Sequence, residues 1–339
     1  MFIELHMIQN FAPSNLNRDD TNNPKDCEFG GVRRARISSQ CLKRAIRQAP
    51  VFAQSTGVDN GLRTKWLWQR LQAPLIQAGK TEEEVKTILT EFIAGLFSKL
   101  DRDGQRTAVL LYVSPAEAGV ITNALLSRWD DLANEKHREA TVKQLATMLV
   151  RQFKGRTSAP DIALFGRMLA EKPELNLDAA CQVAHAISTH RVTMEMDYYT
   201  AVDDLKPDDT EGAAMVGFTG FDSACFYRYA RVDWDQLLQN LASDVPLARR
   251  TVAGFLRAAT EAIPTGKQNA FAAYNPPSFM LTVVREGMAW SLANAFERPV
   301  RPARAAAAAE AGRERGLGCV GFAARHPAWR VAGAQCGRI

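Results

Sequence analysis

The sequence lacks the features that mark membrane proteins and disulfide-stabilised scaffolds. No run among its 339 residues approaches the ~18–20 consecutive apolar residues that a membrane-spanning helix needs. The six cysteines are scattered without a CxxC pair, and the N-terminus has neither a positively charged lead nor a small-residue cleavage site. We therefore expect a reduced, cytoplasmic protein with no signal peptide and no membrane association.

The motifs of several common enzyme classes are missing as well. The chain contains no P-loop and no G-x-S-x-G nucleophile elbow. His185 and His190 are five positions apart, whereas the zinc-protease motif places two histidines four apart with a glutamate between them. Because no nucleophile or metal-ligand set has a diagnostic spacing, we expect no bound metal and no other cofactor.

The positive charge of the chain is unevenly distributed. The composition, 46% hydrophobic and 23% charged, is ordinary for a globular protein, and the length predicts roughly two domains. The formal net charge is +5, but the 42 residues from Arg298 onward contain eight arginines and two glutamates. The preceding part is therefore close to neutral, and nucleic-acid binding by it has to be argued from where its cations lie.

One segment, Phe29 to Arg47, concentrates cations without any acid. It reads FGGVRRARISSQCLKRAIR, with six Lys or Arg between Gly30 and Arg47. Ser38 and Ser39 predict the start of a helix that ends before Pro50. At 100° per residue, one face of this helix carries four polar residues and the other four apolar ones. The polar set is Gln40, Lys43, Arg44 and Arg47, and the apolar set is Leu42, Ala45, Ile46 and Ala49.

This pattern predicts a surface for phosphate groups. A helix start adds unpaired N–H groups and the positive end of the helix dipole, and Gly30-Gly31 would let backbone approach a ligand closely. The alternative, a solvated cationic helix face, is common and stays open on this pattern alone. The absence of a compensating acid favours polyanion binding.

Other segments carry weaker signals. Residues 59–155 predict an α-rich unit, and 178–190 also has a helical pattern. Residues 192–223 predict a long loop that carries Tyr198 and Tyr199. Tyr227 and Tyr229 share a face of a predicted strand, where they either stack on bases or, more commonly, belong to the core. Asp19 and Asp20 could hold a metal for nuclease chemistry, but loop capping is the favoured interpretation.

Eight segments in fixed order resemble the CasC family, the backbone subunit of the type I-E CRISPR Cascade complex. The resemblance covers about residues 1–297, and the order of the segments makes it specific. They are NLNRDD (15–20), FGGVRRARISSQCLKRAIR (29–47), DIALFGRM (161–168), AHAISTH (184–190), MDYYTAVDDL (196–205), FYRYA (226–230), GKQNAFAAYNP (266–276) and SLANAFE (291–297).

The resemblance implies an α+β fold with three parts. These are an RRM-like (ferredoxin-like) palm, a helical fingers insertion and a protruding thumb loop. The expected boundaries are 1–58, 159–191 and 224–297 for the palm, 59–158 for the fingers and 192–223 for the thumb. Residues 298–339 depart from the family as an Ala/Arg-rich tail, too poor in large apolar residues to predict a packed element.

The resemblance also implies a non-catalytic role. Copies of the chain would polymerise along one CRISPR RNA with other Cascade subunits, presenting the guide for pairing with target DNA in antiviral defence. The RNA backbone would be held by Arg18, Lys25, Ser38, Ser39, Gln40, Lys43, Arg44 and Arg47. Further contacts would come from Arg167 and Met168, with Met168 as a wedge against a base, from the thumb residues Tyr198 and Tyr199, and from Lys267 and Gln268. Asn269 stands where the family pattern has a cation.

Two alternatives stay open. Some related CRISPR backbone subunits are RRM-like metal-dependent ribonucleases, and here Asp19, Asp20 or Asp26 would supply the acids. The chain would otherwise be a general nucleic-acid-binding module outside CRISPR.

Overall fold

The computed structural model describes residues 1–97, 99–101, 104, 106–201, 204 and 215–301. Internal packing divides the chain into two compact units, each built from separate segments. The first unit contains Met1–Ile46, Val183–Arg231 and the chain from Ala259 onward. The second contains Arg47–Gln182 and Val232–Ala258. The predicted tail, 298–339, lies outside the described residues after position 301.

Strands and helices alternate irregularly along the chain. In chain order the strands are β1 (Phe2–Ser14), β2 (Asp26–Phe29), β3 (Val32–Ile37), β4 (Leu62–Thr64), β5 (Leu111–Val113), β6 (Cys181–Val183), β7 (Ala186–Ser188), β8 (Glu195–Ala201), β9 (Met215–Asp233) and β10 (Phe279–Arg285). The helices are α1 (Ser39–Gln48), α2 (Pro50–Thr56), α3 (Leu67–Gln77), α4 (Glu82–Leu96), α5 (Pro115–Ser127), α6 (Trp129–Ala133), α7 (Glu135–Phe153), α8 (Pro160–Phe165), α9 (Trp234–Asn240), α10 (Val245–Glu261) and α11 (Gln268–Phe271). In the described residues, no helix combines the length and the apolar character needed to cross a membrane.

The first unit is organised by an antiparallel sheet. Its strand order is β10-β1-β9-β7-β3-β2, and β8 pairs with β9 as an additional arm. Long β1 pairs with β10 from Phe2↔Arg285 to Ile8↔Phe279. The apolar residues between sheet and α1 include Phe11, Ile37, Leu42 and Phe226. This confirms a mixed fold with an antiparallel sheet, while the RRM-like detail stays a prediction.

The second unit is largely helical, as the sequence predicts for residues 59–155. Two capping boxes are present: Thr81 with Glu84 begins α4, and Ser114 with Glu117 begins α5. Its core is built from apolar side chains of α3, α4, α5, α6 and α7, mainly leucine, isoleucine and phenylalanine with Trp68 and Trp129 among them. The short strands β4 and β5 pair at its edge.

Two secondary-structure predictions are wrong. The helix expected over 178–190 is instead the short strands β6 and β7, because Ile187 pairs with Tyr227 of β9 and Arg36 of β3. The loop expected over 192–223 contains β8 and the first part of β9, which pair from Glu195↔Phe221 to Ala201↔Met215. A three-residue strand is too short for its period to show in sequence, and the two hairpin arms are separated by residues 202–214.

Candidate nucleic-acid interface

Helix α1 forms with the apolar face that the sequence predicts. Leu42 and Ile46 are buried, and the helix contains no acidic residue in its first turn. Ser38 caps the helix, since its Oγ accepts from Cys41 N–H at 3.3 Å, while Ser38 N–H donates to Asn17 Oδ1 at 2.8 Å. Ser38 is therefore buried at the helix start, and Ser39 is half-buried beside it.

Three cations define what we call the cationic surface: Lys25, Arg36 and Arg44. The positive charges of Lys25 and Arg44 both act on the Cys41 thiol, opposing the rise in pKa that burial causes. His185 has a pKa lowered first by burial, then by Arg36 and Lys25. Lys25 thus lies close to both Cys41 and His185, so β2, β3, α1 and the β6–β7 turn meet in one region of positive potential.

Within the cationic surface, Arg36 is held by a backbone carbonyl and a histidine side chain. Arg36 Nε donates to Asp26 O at 3.0 Å, and Arg36 Nη1 lies 3.0 Å from His185 Nδ1. In the described part of the chain, Arg36 and Arg44 make no ion pair with a carboxylate. Gln40 and Arg44 are exposed and Lys43 is half-buried on the same helix. Arg18 is exposed on the preceding loop, where it donates to Asn22 Oδ1.

Two other cations of the Gly30–Arg47 run bind partners within the first unit. Arg33 forms an ion pair with Asp26. Arg34 is fully buried and donates to four backbone carbonyls, those of Phe29, Ser188, Phe296 and Glu297. Arg34 therefore joins the β2–β3 turn to β7 and to the segment around 296.

The prediction that Arg47 extends the exposed stripe is wrong. Its side chain is only 11% exposed, Nη1 donates to Gly61 O at 2.9 Å, and the guanidinium lies 3.7 Å from the Asp161 carboxylate. It also lies over the Tyr112 ring, whose hydroxyl donates to Asp161. Burial raises the pKa of Asp161, and Arg47 acts against that rise. The Arg47 guanidinium thus binds partners inside the second unit.

In the turn that contains Arg167 and Met168, the first side chain is buried and the second is exposed. Arg167 is buried, with Nη1 at 2.8 Å and 3.0 Å from the Glu117 carboxylate oxygens and Nε at 2.9 Å from Leu175 O. The expectation that Arg167 contacts RNA is therefore corrected: its side chain is buried and stabilises the turn. Met168 is 84% exposed.

A cleft of about 510 Å³ lies beside Met168 in the second unit. Arg63, Leu110 and Asn176 line it together with Met168. Gly166 has a φ of +75°, and an added Cβ there would lie 2.8 Å from Leu177 O, so the turn requires glycine. The Gly166 turn and the two backbone hydrogen bonds between Arg167 and Leu177 leave the next side chain, Met168, facing solvent.

The thumb segment is a hairpin that exposes aromatic residues. Tyr198 pairs with Phe218, with ring centroids 5.2 Å apart, and both are exposed. Tyr199 pairs with Gly217, where a Cβ would overlap its ring, so the tyrosine packs across a glycine. Residues 202, 203 and 205–214, which connect the arms, lie outside the described residues.

Lys267 and Gln268 behave differently from each other. Lys267 is half-exposed with a φ of +50° just before α11. Gln268 is buried, and it donates to Pro264 O at 3.0 Å and accepts from Ala273 N–H at 2.8 Å. These hydrogen bonds of Gln268 stabilise its own loop, which corrects the expectation that its side chain contacts RNA. Lys267 stays a candidate for RNA contact.

Two of the three candidate acids for metal chemistry have other partners. Asp19 accepts from the hydroxyl and N–H of Thr21 and from Asn23 N–H, and the Thr21 hydroxyl is the main cause of its lowered pKa. Asp20 is exposed on the same loop, and Asp26 pairs with Arg33. Within the described residues, no three His, Cys, Asp or Glu side chains are grouped so as to hold a metal.

Sequence reasoning missed three features. From the sequence, His185 is considered only as a metal ligand and Phe218 is not considered, because their partners, Arg36 and Tyr198, are distant in sequence. Asp222 is buried on β9, where burial, and after it the charge of Asp26, raises its pKa to about 7. The core interpretation of the β9 tyrosines is supported: Tyr227 is buried with its hydroxyl 2.8 Å from His6 Nδ1.

Comparisons with known proteins place the chain in a family. The model of the CT1975-like proteins matches residues 3–315. A chain of a "CRISPR RNA-guided surveillance complex, pre-nicking" is 30% identical with a TM-score of 0.78, covering 94% of this chain and 89% of that chain. A chain of a second "CRISPR RNA-guided surveillance complex" shares the fold at 24% identity and a TM-score of 0.66, covering 94% of this chain and 88% of that one. No curated protein matches the sequence significantly.

The family match extends into the first part of the Ala/Arg-rich tail, since it ends at position 315. Together the matches confirm the resemblance to Cascade subunits that the eight sequence segments indicate. The chain belongs to the CT1975-like protein family.

Proposed function

We propose that this protein is a non-catalytic, RNA-binding backbone subunit of a type I-E CRISPR surveillance complex. It polymerises along a CRISPR RNA, with other Cascade subunits, and presents the guide for pairing with target DNA. The similar solved chain belongs to an RNA-guided surveillance complex, which supports RNA and the other subunits as partners. In such a complex base pairing reads the target sequence, so a backbone subunit needs phosphate contacts rather than a base code.

The observation that carries the proposal is the cationic surface. Lys25 and Arg44 both act on the Cys41 thiol. Lys25 and Arg36 both act on His185, and Arg36 is anchored by a backbone carbonyl. Arg33, by contrast, is neutralised by its ion pair with Asp26. Arg36 and Arg44 form no ion pair with a carboxylate in the part of the chain that the structure describes, so their charges attract a polyanion, which in single-stranded RNA is the phosphate backbone.

Exposed apolar side chains support contacts with bases or with further copies. Met168 is held outward by the Gly166 turn, where it would wedge against an unstacked base. Tyr198 and Phe218 form an exposed aromatic pair on the β8–β9 hairpin. Apolar groups of this size in contact with water are typical of binding surfaces. We assign the hairpin to contacts along the RNA and with the next copy of the chain.

We also propose that the chain does not cleave RNA. Metal-dependent hydrolysis needs several oxygen ligands that converge on the ion. Asp19 instead caps its loop, and Asp26 neutralises Arg33. Pure protein incubated with target RNA and Mg²⁺ is expected to leave the RNA intact. Magnesium-dependent cutting that is lost in Asp26→Asn would overturn this part of the proposal.

The direct test compares RNA binding by the wild type with that of Lys25→Ala/Arg44→Ala. We expect weaker binding of all single-stranded RNAs alike, because phosphate contacts carry no sequence information. The slope of log K against log salt should also become shallower by about 1.4, since each lost phosphate contact removes about 0.7. Fluorescence anisotropy with labelled RNAs of several sequences at several salt concentrations measures both quantities.

A matched control removes two cations elsewhere. Arg70→Ala/Arg128→Ala carries the same loss of net charge, and both side chains are exposed on the second unit. If this control loses as much affinity as Lys25→Ala/Arg44→Ala, the binding depends on total charge and the assigned surface is wrong. Co-expression of the wild type with the neighbouring genes and a repeat array should yield bound RNA of uniform length, and RNA of random lengths would contradict the CRISPR role.

A further inference from the structure

His185 lies at the edge of the cationic surface in an unusual electrostatic position. It is exposed on the turn between β6 and β7, with Arg36 Nη1 3.0 Å from its Nδ1. An arginine N–H always donates, so Nδ1 must be the acceptor and the imidazole is neutral with its hydrogen on Nε2. The charged side chains that act on it within the described residues are Arg36 of β3 and Lys25 of the loop before β2, both cations.

A protonated His185 is therefore disfavoured while the surface is empty. Its Nδ1–H would face the Arg36 N–H, and its charge would add to those of Arg36 and Lys25. Burial and these two charges accordingly hold its pKa below the usual 6.5. The Asp26 carboxylate does not offset the positive charge around His185, because it is paired with Arg33.

A phosphate oxygen between Arg36 and His185 would reverse this balance. It accepts from the Arg36 N–H and from a protonated Nδ1 at once, and its negative charge offsets the repulsion from Lys25. A phosphodiester does not itself take up a proton near neutral pH, so the proton comes from solvent to the imidazole.

We propose that His185 is a proton-coupled phosphate contact, which becomes an imidazolium when an RNA phosphodiester binds between it and Arg36. This inference rests on the proposed RNA-binding function and adds a residue and a pH dependence to it. Binding then releases counterions at the lysine and arginines but takes up one proton at the histidine. RNA affinity should rise, by at most about tenfold per pH unit, as the pH falls from the pKa of the RNA-bound imidazole to that of the free imidazole, and should level off below the latter.

The experiment measures binding of labelled poly(U) at pH 8.0, 7.0, 6.0 and 5.5 at constant ionic strength. Uracil does not titrate in this range, so any pH dependence belongs to the protein. His185→Gln keeps a hydrogen-bonding side chain but cannot be protonated, and should bind with little pH dependence. His137→Gln, an exposed histidine on α7, is the matched control and should keep the wild-type profile.

Asp222 requires its own control, because this buried carboxyl titrates in the same range close to Asp26. We expect Asp222→Asn to keep most of the pH dependence, whereas His185→Gln abolishes it. The opposite result, a pH dependence lost in Asp222→Asn and kept in His185→Gln, would assign the proton to Asp222 and overturn the inference.

Imidazole NMR signals give a second, direct measurement. Without RNA, the His185 resonance, identified by its loss in His185→Gln, should titrate below 6.5, and Lys25→Ala should move this midpoint upward. With poly(U) bound, the midpoint should exceed the free value. Tight binding at every pH with an unchanged His185 midpoint would refute the proton coupling and leave the RNA-binding function standing. Absence of poly(U) binding at every pH would refute both.

Discussion

The two glycines of the β2–β3 turn look alike in sequence but should differ strongly in their tolerance of alanine. Gly30 and Gly31 have φ values of +62° and +71°, as a two-residue type I′ hairpin turn requires. A Cβ on Gly30 would overlap the carbonyl oxygen of Glu297, whereas one on Gly31 meets no atom within 4 Å. The sequence predicted that this pair allows close approach of a ligand, but Gly30 is close to the chain's own backbone.

The magnitudes follow from these geometries. Either alanine costs roughly 1–2 kcal/mol for the left-handed conformation. Gly30→Ala must also displace the segment around Glu297, which removes the hydrogen bonds from the buried Arg34 guanidinium to Phe296 O and Glu297 O, at 2.8 Å and 3.1 Å. At about 1.5–3 kcal/mol for each bond to a charged donor, the extra cost is about 3 kcal/mol or more.

Thermal unfolding separates the two variants. We expect the Tm of Gly30→Ala to lie roughly 5–10 °C below that of Gly31→Ala, which itself should be only slightly below the wild type. Limited proteolysis should also cut near residue 297 faster in Gly30→Ala, because Arg34 no longer holds that segment. Equal Tm values for the two variants would show that the close approach of Gly30 to Glu297 does not contribute to stability.

Three further substitutions test individual environments. The folded-state pKa of Asp222 is about 7 against the usual 3.8, so its ionisation destabilises the fold increasingly as the pH rises from 3.8 to 7. Asp222→Asn should therefore raise the Tm at pH 8 and change it little at pH 4.5. An equal shift of the Tm at both pH values would contradict this. Arg167→Ala leaves the Glu117 carboxylate buried without its partner and should cost about 3–5 kcal/mol in urea unfolding, so a loss below 1 kcal/mol would refute the structural role. Met168→Ala should leave the Tm within about 1 °C, because the side chain is in solvent, but should weaken RNA binding in anisotropy measurements; unchanged affinity would remove the wedge from the proposal.

Local signals in the sequence predicted local structure well. The capping boxes at Thr81 and Ser114 mark real helix starts, and α1 buries Leu42 and Ile46 as its period predicts. Pro50 ends α1 but also begins α2 at its first position, because proline is well tolerated where no helical N–H partner is needed. Such features depend on a few neighbouring residues, which the sequence displays directly.

Features that depend on distant partners were not predictable. Arg47 turns inward because Asp161, more than a hundred positions away, lies beside it. The β6 and β7 strands exist because β9 pairs alongside them, and the pattern of 178–190 alone favoured a helix. Met168 entered only through the family resemblance, since nothing in its local sequence shows that Gly166 holds it outward.

The cations between Gly30 and Arg47 show why a count of charges misjudges a binding surface. The run contains no acid, but its arginines find acceptors elsewhere: Arg34 in backbone carbonyls, Arg33 in Asp26 and Arg47 in Asp161. A carboxylate neutralises a guanidinium wherever it lies in the sequence, whereas a backbone carbonyl accepts its hydrogen bonds and leaves its charge. Arg34 is removed from the surface by its burial. Arg36 and Arg44 make no such ion pair within the described residues, so they, with Lys25, account for the phosphate affinity that we propose. The salt dependence of RNA binding should therefore report the few cations of this surface rather than the six in the run.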